Sequence, residues 1–232
     1  MVRHVYERVS ASRLVDRVLV ATDDLRVASA VAAFGGEVRM TSPDHETGTD
    51  RIAEAAHGTT EDLIVNVQGD EPMLEAKWID AALEPMLAEE SLGISTLSLP
   101  LLDIDEMLSP SVVKVVVSAR GDALYFSRSP IPYMRLDGRR TAKEAAVAAV
   151  GEGLARKHVG LYVYRRSALE RFAALRPSPL ERAEGLEQLR ALQDGISIRV
   201  VATDGRAGVA VDTPEDLERV RALLASDASS QR

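Results

Sequence analysis

Apolar residues fall into two kinds of pattern along the first half of the chain. Short runs rich in β-branched residues predict strands. Between these runs, apolar residues return every three or four positions, as on the buried face of a helix. The predicted strands are 17–22, 37–41 and 62–68, and the predicted helices are 1–12, 23–34, 47–57 and 75–90. Strands that alternate with helices of this length indicate an α/β fold, with a mostly parallel sheet that carries helices on both faces.

The second half of the chain is richer in predicted strands. The segment SARGDA separates two β-rich runs and predicts a hairpin within 112–128. Further strands are predicted at 94–100, 157–165, 196–203 and 208–213, and further helices at 167–175, 179–193 and 214–224. We interpret residues 1–224 as one domain in which 112–165 is a strand-rich excursion, followed by a flexible tail at 225–232.

Composition narrows the class of protein. The 232 residues are 46% hydrophobic and 28% charged, which is ordinary for a globular protein with a substantial core. No apolar run reaches the length of a membrane span, and residues 1–12 are too charged for a secretory signal. The net charge of −8 argues against a surface that coats nucleic acid. The absence of cysteine excludes disulfides, zinc-thiolate sites and a cysteine nucleophile, and fits a cytoplasmic protein.

Acidic residues follow three of the predicted strands, at the ends where α/β sheets bind ligands. Asp23 and Asp24 follow the first strand, Asp70 follows the run IVNVQG, and Asp212 follows GVAV. Asp70 and Asp212 could together hold a divalent cation, because Mg²⁺ takes one or two protein carboxylates with phosphates and water. The alternative is that each Asp only caps the helix that follows it.

Two further groups of residues could bind an anionic substrate. Arg51 lies in the first turn of a predicted helix, where a cation opposes the helix dipole and a nearby anion would explain its position. Arg128 and His158 are donors suited to a carboxylate or phosphate, and Glu187 and Gln188 could bind sugar hydroxyls. The alternative for each is an ordinary exposed or structural residue, and only the joint pattern favours a site.

The joint pattern resembles one enzyme family. The stretches VLVATDD, VNVQGDEP, KHVGLYVYRRSALERF and GVAVDTPEDLE are similar to those of the 3-deoxy-manno-octulosonate (Kdo) cytidylyltransferases. The resemblance runs from residue 1 to 224 and is broken mainly at 135–155. The segments YFSR and LEQLR favour this family over the related sialic-acid enzymes.

The resemblance implies a single α/β domain of the nucleotide-diphospho-sugar transferase type, working as a homodimer through the 112–165 excursion. It implies a reaction that joins CTP and Kdo into CMP-Kdo with release of pyrophosphate, for lipopolysaccharide biosynthesis. Mg²⁺ is the implied cofactor. In-line phosphoryl chemistry of this kind depends mainly on positioning and electrostatics.

The resemblance also implies roles for individual residues. Asp70 and Asp212 match the magnesium carboxylates and are the expected catalytic positions, while Arg51 and Gln68 match contacts on the cytidine side. The positions that match the Kdo side are Arg128, His158, Tyr162, Glu187 and Gln188. The resemblance implies that Arg128 and His158 face the sugar carboxylate, and that Glu187 and Gln188 take hydroxyls.

Three other residues lie in the matching stretches without an assigned role. They are Asp23, Asp24 and Lys114.

One departure from the family pattern produces a separate expectation. Members of the family begin with a strand and a basic, glycine-containing loop that grips the CTP phosphates, whereas this sequence opens directly on a predicted helix. We therefore expect an unfilled strand position in the sheet, weak CTP binding and slow turnover. Alternative hypotheses are a non-catalytic paralogue that binds or dimerises, a related sugar-acid cytidylyltransferase, or a glycosyltransferase that uses a nucleotide sugar.

Overall fold

The computed structural model describes residues 1–45, 47–135, 141–205, 211 and 213–230. The described residues form an α/β fold, as predicted. Its strands are β1 (Val20–Thr22), β2 (Val38–Met40), β3 (Leu63–Asn66), β4 (Ile94–Pro100), β5 (Lys114–Val117), β6 (Ala123–Ser127), β7 (Arg156–Arg165) and β8 (Ile198–Ala202). Its helices are α1 (Val2–Ser10), α2 (Leu25–Ala33), α3 (Gly48–Ala56), α4 (Ala76–Ala88), α5 (Ile104–Leu108), α6 (Ala142–Gly151), α7 (Arg166–Ala174), α8 (Pro179–Glu184), α9 (Gln188–Gln193) and α10 (Pro214–Ser230).

The long strand β7 is the centre of the main, six-stranded sheet. β4 pairs antiparallel along one edge of β7, and β8 pairs parallel with β4 on the far side. β5 and β3 share the other edge of β7: β5 meets it at Lys157, and β3 runs along residues 162–165. β6 pairs with β5 as a hairpin, which confirms the turn predicted at SARGDA.

A separate parallel sheet contains β1 and β2. Among the described residues, no ladder of backbone hydrogen bonds joins this pair to β3, although all three strands belong to the alternating βα half of the chain. The α/β sheet is therefore divided between β1 and β3.

Apolar residues cover both faces of the main sheet, because side chains alternate along β7. Val159, Leu161 and Val163 pack on one face with residues of α4, including Trp78. Tyr162, Tyr164 and their neighbours pack on the opposite face with α7 and α9. Helices on both faces were predicted from the sequence, and the two cores confirm that arrangement.

The orientation of β7 differs from the parallel arrangement predicted for most of the sheet. β7 runs antiparallel to β3, β4 and β5. An apolar run indicates a buried strand but carries no information about its direction, because side-chain alternation is the same in both directions.

Several element boundaries also differ from the predictions. The helix predicted at 179–193 is two helices, because Gly185 takes a left-handed backbone (φ of 62°) and ends α8. α10 continues to Ser230, past the predicted end at 224. Most of the strand predicted at 208–213 lies outside the described residues. None of the helices in the described residues is long and apolar enough to span a bilayer.

Lys114 has a structural role within the excursion. Its side chain is buried, and its ammonium group donates hydrogen bonds to the carbonyl oxygens of Ser109 (2.9 Å), Val112 (2.7 Å) and Arg128. The ammonium group therefore holds residues 109–112, before β5, close to Arg128, which follows β6. Burial lowers the pKa of Lys114, and the three carbonyl dipoles stabilise the ammonium form.

We expect Lys114→Met to destabilise the protein by about 2–4 kcal/mol, because three carbonyl groups lose their donor while the apolar volume is kept. Urea unfolding measures the change. Lys143→Met on the exposed surface of α6 is the matched control, and equal stability of the two variants would contradict this role.

Candidate active site

The N-terminus of α3 lies where β1 and β3 end. Arg51, in its first turn, donates to Thr41 Oγ1 at 2.7 Å and forms an ion pair with Asp23 Oδ1 at 3.2 Å. Gln68 lies against the same turn, so that a Cβ at Gly48 would stand 3.2 Å from its amide nitrogen. The two residues predicted for the cytidine side are therefore brought together.

Asp24 has a different role from its neighbour Asp23. Its side chain caps α2 by accepting from Arg26 N at 2.7 Å. The cap interpretation of this acidic pair therefore holds for Asp24, while Asp23 faces Arg51.

The opposite side of α3 reaches Glu187. Thr49 donates its hydroxyl to Glu187 Oε1 at 2.8 Å, and Asn66 Nδ2 lies 3.5 Å from the same hydroxyl. The second carboxylate oxygen of Glu187 is buried and has no hydrogen-bond partner among the described residues. Burial raises the pKa of Glu187. A buried oxygen in this state is a ready acceptor for a ligand hydroxyl.

His158 lies in a row of aromatic rings along β7. Its ring centroid is 5.1 Å from Phe126 and 5.3 Å from Tyr162, and Tyr162 lies 5.8 Å from Tyr164. Burial in these surroundings lowers the pKa of His158 to about 3. The imidazole is therefore neutral at physiological pH.

The contacts of Thr96 fix which nitrogen of His158 carries the proton. Thr96 Oγ1 is 2.7 Å from the carbonyl oxygen of Leu161, to which it donates, and 2.9 Å from His158 Nε2. Because the hydroxyl proton is used on the carbonyl, Nε2 must be the donor and Nδ1 must be the acceptor. The neutral ring can therefore accept a hydrogen bond from a ligand.

Arg128 lies at the junction of α8 and α9. Its guanidinium donates to the carbonyl oxygens of Glu184 (2.7 Å), Pro110 (2.9 Å) and Gly185 (3.3 Å). Gln188 is buried at the start of α9, directly after this junction. The carbonyl contacts hold Arg128 rigidly in place and leave part of its five-donor fork for an anion.

Asp70 and Glu71 follow β3. The backbone of Val211 donates to Asp70 O at 2.9 Å, which brings the residue before Asp212 against Asp70; Asp212 itself lies outside the described residues. The carboxylate of Glu71 points at β7, where a Cβ at Gly160 would lie 3.6 Å away. Burial, together with the charge of Asp70, raises the pKa of Glu71 to about 6.

No group of three or more His, Cys, Asp or Glu side chains that could hold a metal occurs within the described part of the chain. At the end of β3, Asp70 offers a carboxylate, whereas that of the neighbouring Glu71 points at β7. That donor set fits Mg²⁺, which is commonly bound by one or two carboxylates together with substrate phosphates.

Sequence reasoning missed three polar residues that connect these groups. Thr49, Asn66 and Thr96 are all buried, and each hydrogen-bonds to a predicted site residue or to another of the three. For Asn66 and Thr96 the available signal was a polar residue inside an apolar strand, as in LIVNV and ISTLSL, whereas Thr49 lies on α3 and had no such signal. The structure brings Arg51, Gln68 and Glu187 together at the first turn of α3.

Comparison with known proteins is consistent with this geometry. The cytidylyltransferase family model matches residues 1–198. The chain is 54% identical over 220 residues to the 3-deoxy-manno-octulosonate cytidylyltransferase of Geobacter metallireducens, covering 95% of this chain and 85% of the relative. The chain belongs to the 3-deoxy-manno-octulosonate cytidylyltransferase family. It is therefore a nucleotidyltransferase, as the motifs predicted.

Other members and a solved structure extend the match. The cytidylyltransferase of the same name from Syntrophotalea carbinolica is 53% identical over 224 residues, covering 97% of this chain and 88% of the relative. A CMP:2-keto-3-deoxy-manno-octonic acid synthetase solved with CTP superposes with a TM-score of 0.85 at 45% identity, covering 97% of this chain and 88% of that one. A 4-diphosphocytidyl-2C-methyl-D-erythritol synthase, at 15% identity and a TM-score of 0.58 over 96% of this chain and 87% of its own, shows the fold alone.

The raised pKa of Glu71 predicts a pH dependence of stability. Between the ordinary value of 4.5 and about 6, the folded protein binds more protons at this site than the unfolded chain. Stability from this group is therefore present below pH 4.5 and is lost as the pH rises through 6. Glu71→Gln removes the ionisation. The melting temperature of the variant minus that of the wild type should therefore increase between pH 4.5 and about 6 and stay constant at higher pH.

Melting curves between pH 4 and 8 measure this difference. Glu90→Gln, at an exposed position, is the control and should show a flat difference from the wild type. A flat difference for Glu71→Gln as well would mean that Glu71 has an ordinary pKa.

Proposed function

We propose that this chain transfers the cytidylyl group of CTP to Kdo, giving CMP-Kdo and pyrophosphate for lipopolysaccharide biosynthesis. The observation that carries the proposal is the hydrogen bond from Thr49 to Glu187, because one helix thereby joins the cytidine-side residues Arg51 and Gln68 to the sugar-side carboxylate. Membership of the family, and the likeness to a synthetase solved with CTP, support the same substrates.

The reaction forms a bond from the anomeric oxygen of Kdo to the α-phosphorus of CTP and breaks the α–β bridging P–O bond. The hydroxyl proton is lost, and pyrophosphate leaves with the bridging oxygen. Such a transfer needs its reactants held in line more than it needs a covalent protein group. Arg51 and Gln68 would orient the cytidine side, while Tyr162, Glu187 and Gln188 would orient the sugar.

Because His158 is neutral, Arg128 and His158 would bind different groups of the sugar acid. Arg128 is the cation suited to the Kdo carboxylate, since a planar guanidinium matches a carboxylate with two parallel donors. His158 would accept a hydroxyl proton through Nδ1, because its Nε2–H is already given to Thr96. The ring would therefore accept a hydrogen bond from a hydroxyl beside the carboxylate and would add no second positive charge.

Asp70 and Asp212 are the residues that would hold Mg²⁺. When bound, the ion would neutralise charge on the phosphates during transfer. The hydrogen bond from Val211 to Asp70 supports this pairing, because it ties the chain next to Asp212 to the end of β3.

We also propose that the protein is a homodimer that works in the cytoplasm, where CTP is made. Residues 101–155, between β4 and β7, include most of the predicted excursion (112–165) and carry several strongly exposed apolar side chains, and large apolar patches of this kind mark interfaces. They are Leu102, Leu124, Tyr133, Val147 and Leu154, which are 77%, 62%, 65%, 50% and 51% exposed.

Glu187→Gln tests the sugar half of the proposed site. We expect the KM for Kdo to rise roughly 10–100-fold, because a carboxyl oxygen that can accept from a sugar hydroxyl becomes an amide nitrogen that can only donate, while the KM for CTP stays within about twofold. Pyrophosphate release from CTP with Kdo, sialic acid or a sugar phosphate as the acceptor is the measurement.

Glu170→Gln on the exposed side of α7 is the matched control and should behave as the wild type. Equal rises in both KM values for Glu187→Gln would contradict the assignment to the sugar. Wild-type protein that forms CMP-sialic acid in preference to CMP-Kdo, or that forms neither, would overturn the proposed function itself.

Leu102→Glu tests the dimer. A charge in a buried apolar interface is costly, so the variant should be a monomer in light scattering at concentrations where the wild type is a dimer. Leu25→Glu on α2 is the matched control, because Leu25 is 71% exposed but lies outside residues 101–155. A dimer that tolerates Leu102→Glu would place the interface elsewhere.

A further inference from the structure

Glu184, the last residue of α8, directs its carboxylate at the end of β6. One carboxylate oxygen accepts a hydrogen bond from Ser127 Oγ at 2.7 Å, and Tyr125 Oη lies 3.5 Å from the same atom. The other oxygen accepts from the backbone N–H of Arg128 at 2.9 Å. A single carboxylate therefore connects the end of α8 to the end of the β5–β6 hairpin.

The contacts of Glu184 favour its ionised form. Burial opposes ionisation, but the hydrogen bonds from Ser127 and from the backbone of Arg128 outweigh it and lower the pKa of the carboxyl group. An ionised carboxylate has no proton to donate, so it accepts from each of these partners. Both of its oxygens are therefore used within the protein.

Arg128 is held through its backbone and through its side chain. Its N–H donates to the carboxylate of Glu184, and its carbonyl oxygen accepts from the ammonium group of Lys114. Its guanidinium donates to the carbonyl oxygens of Glu184 at 2.7 Å and of Gly185 at 3.3 Å. The turn at 184–185 therefore fixes both the main chain and the charged group of Arg128.

The same turn leads directly to the other residues on the sugar side of the proposed site. Glu187 and Gln188 lie at the start of α9, three and four positions after Glu184. A shift of the turn relative to β6 would therefore change the distance from Arg128 to both of them. Errors of about 1 Å in such a distance can cost on the order of 100-fold in rate.

We propose that Glu184 is a positioning residue that sets the place of Arg128 relative to Glu187, and thereby the affinity for the sugar acid. The inference rests on the proposed function, in which Arg128 binds the sugar carboxylate and Glu187 binds hydroxyls. Because both carboxylate oxygens of Glu184 are occupied by residues of the hairpin, Glu184 acts through Arg128 and not by contact with the sugar.

Steady-state kinetics of full-chain variants test this role. Glu184→Ala should raise the KM for Kdo roughly tenfold or more and leave the KM for CTP within about twofold, because the residues on the cytidine side lie on α3 and after β3. Glu184→Gln should stay within about threefold of the wild type. Its amide oxygen can accept from the N–H of Arg128, and the hydroxyl of Ser127 can reverse its role and accept from the amide nitrogen.

Two controls accompany these variants. Glu170→Ala removes an exposed carboxylate from α7 and should behave as the wild type. Ser127→Ala removes only one of the contacts of Glu184, so it should raise the KM for Kdo less than Glu184→Ala does and again spare CTP. Urea unfolding identifies any variant that has lost its fold, and Ser127→Ala then takes the place of Glu184→Ala.

A double-mutant cycle measures whether the effect passes through Arg128. Arg128→Met should raise the KM for Kdo by itself, and adding Glu184→Ala should change it by less than about twofold more, whereas independent residues would multiply their effects. Hydrogen exchange gives a readout that needs no activity. The backbone amide of Arg128 should exchange roughly tenfold faster or more in Glu184→Ala and at the wild-type rate in Glu170→Ala.

The outcomes separate this inference from the proposed function. If the wild type forms CMP-Kdo, the inference is overturned by equal rises in both KM values, by a loss confined to kcat, or by multiplicative effects in the cycle. Unchanged exchange at Arg128 in Glu184→Ala, or a Gln variant as impaired as the Ala variant, would also overturn it. A wild type that does not use Kdo would instead overturn the proposed function, and with it the role of Glu184 in sugar affinity.

Discussion

The structure depends on the insertion of β7 between β3 and β4. This one strand pairs antiparallel with both neighbours, so residues far apart in sequence are fixed in register, with Asn66 opposite Tyr162. The pairing places the aromatic row of His158 and Tyr162 beside β3, which is followed by Gln68 and Asp70. The residues on β7 and those that follow β3 are therefore held by one pair of hydrogen-bonded strands. The spacing between paired strands sets the distance between them.

Electrostatics in the proposed site follow from burial more than from net charge. The chain carries a charge of −8, yet burial favours the neutral forms of Glu71, Glu187 and His158. The guanidinium groups of Arg51 and Arg128 are held by oxygen atoms of neighbouring residues. An anionic substrate would thus meet the guanidinium groups of Arg51 and Arg128. Burial favours the uncharged forms of the neighbouring acids Glu71 and Glu187.

Prediction from the sequence succeeded where local pattern decides the structure. β4 spans the predicted residues 94–100, and the hairpin at SARGDA formed as expected, because alternation and turn residues act over short distances. The direction of β7 could not be predicted, since it is set by pairing across the sheet.

The site shows the same limit. The link from Thr49 to Glu187 spans 138 positions and has no local signature. Lys114 matched a family stretch without revealing its role, which depends on three carbonyl groups brought together by folding. Asp70 was found because strand ends are recognisable from sequence, whereas the partner proposed for it, Asp212, lies outside the described residues.

Two ion pairs between the β1–β2 sheet and the rest of the fold have a consequence for cooperativity. Arg17–Glu61 and Arg51–Asp23 connect the β1–β2 sheet to the rest of the fold through side chains that remain partly exposed to solvent. Side-chain links of this kind are weaker and more sensitive to salt than a backbone ladder. We therefore expect the segment from β1 to β2 to behave as a sub-global folding unit, whose opening free energy lies below that of the central sheet. Because Arg51 bridges the two units, nucleotide contacts at that side chain would be coupled to the local stability of the whole segment.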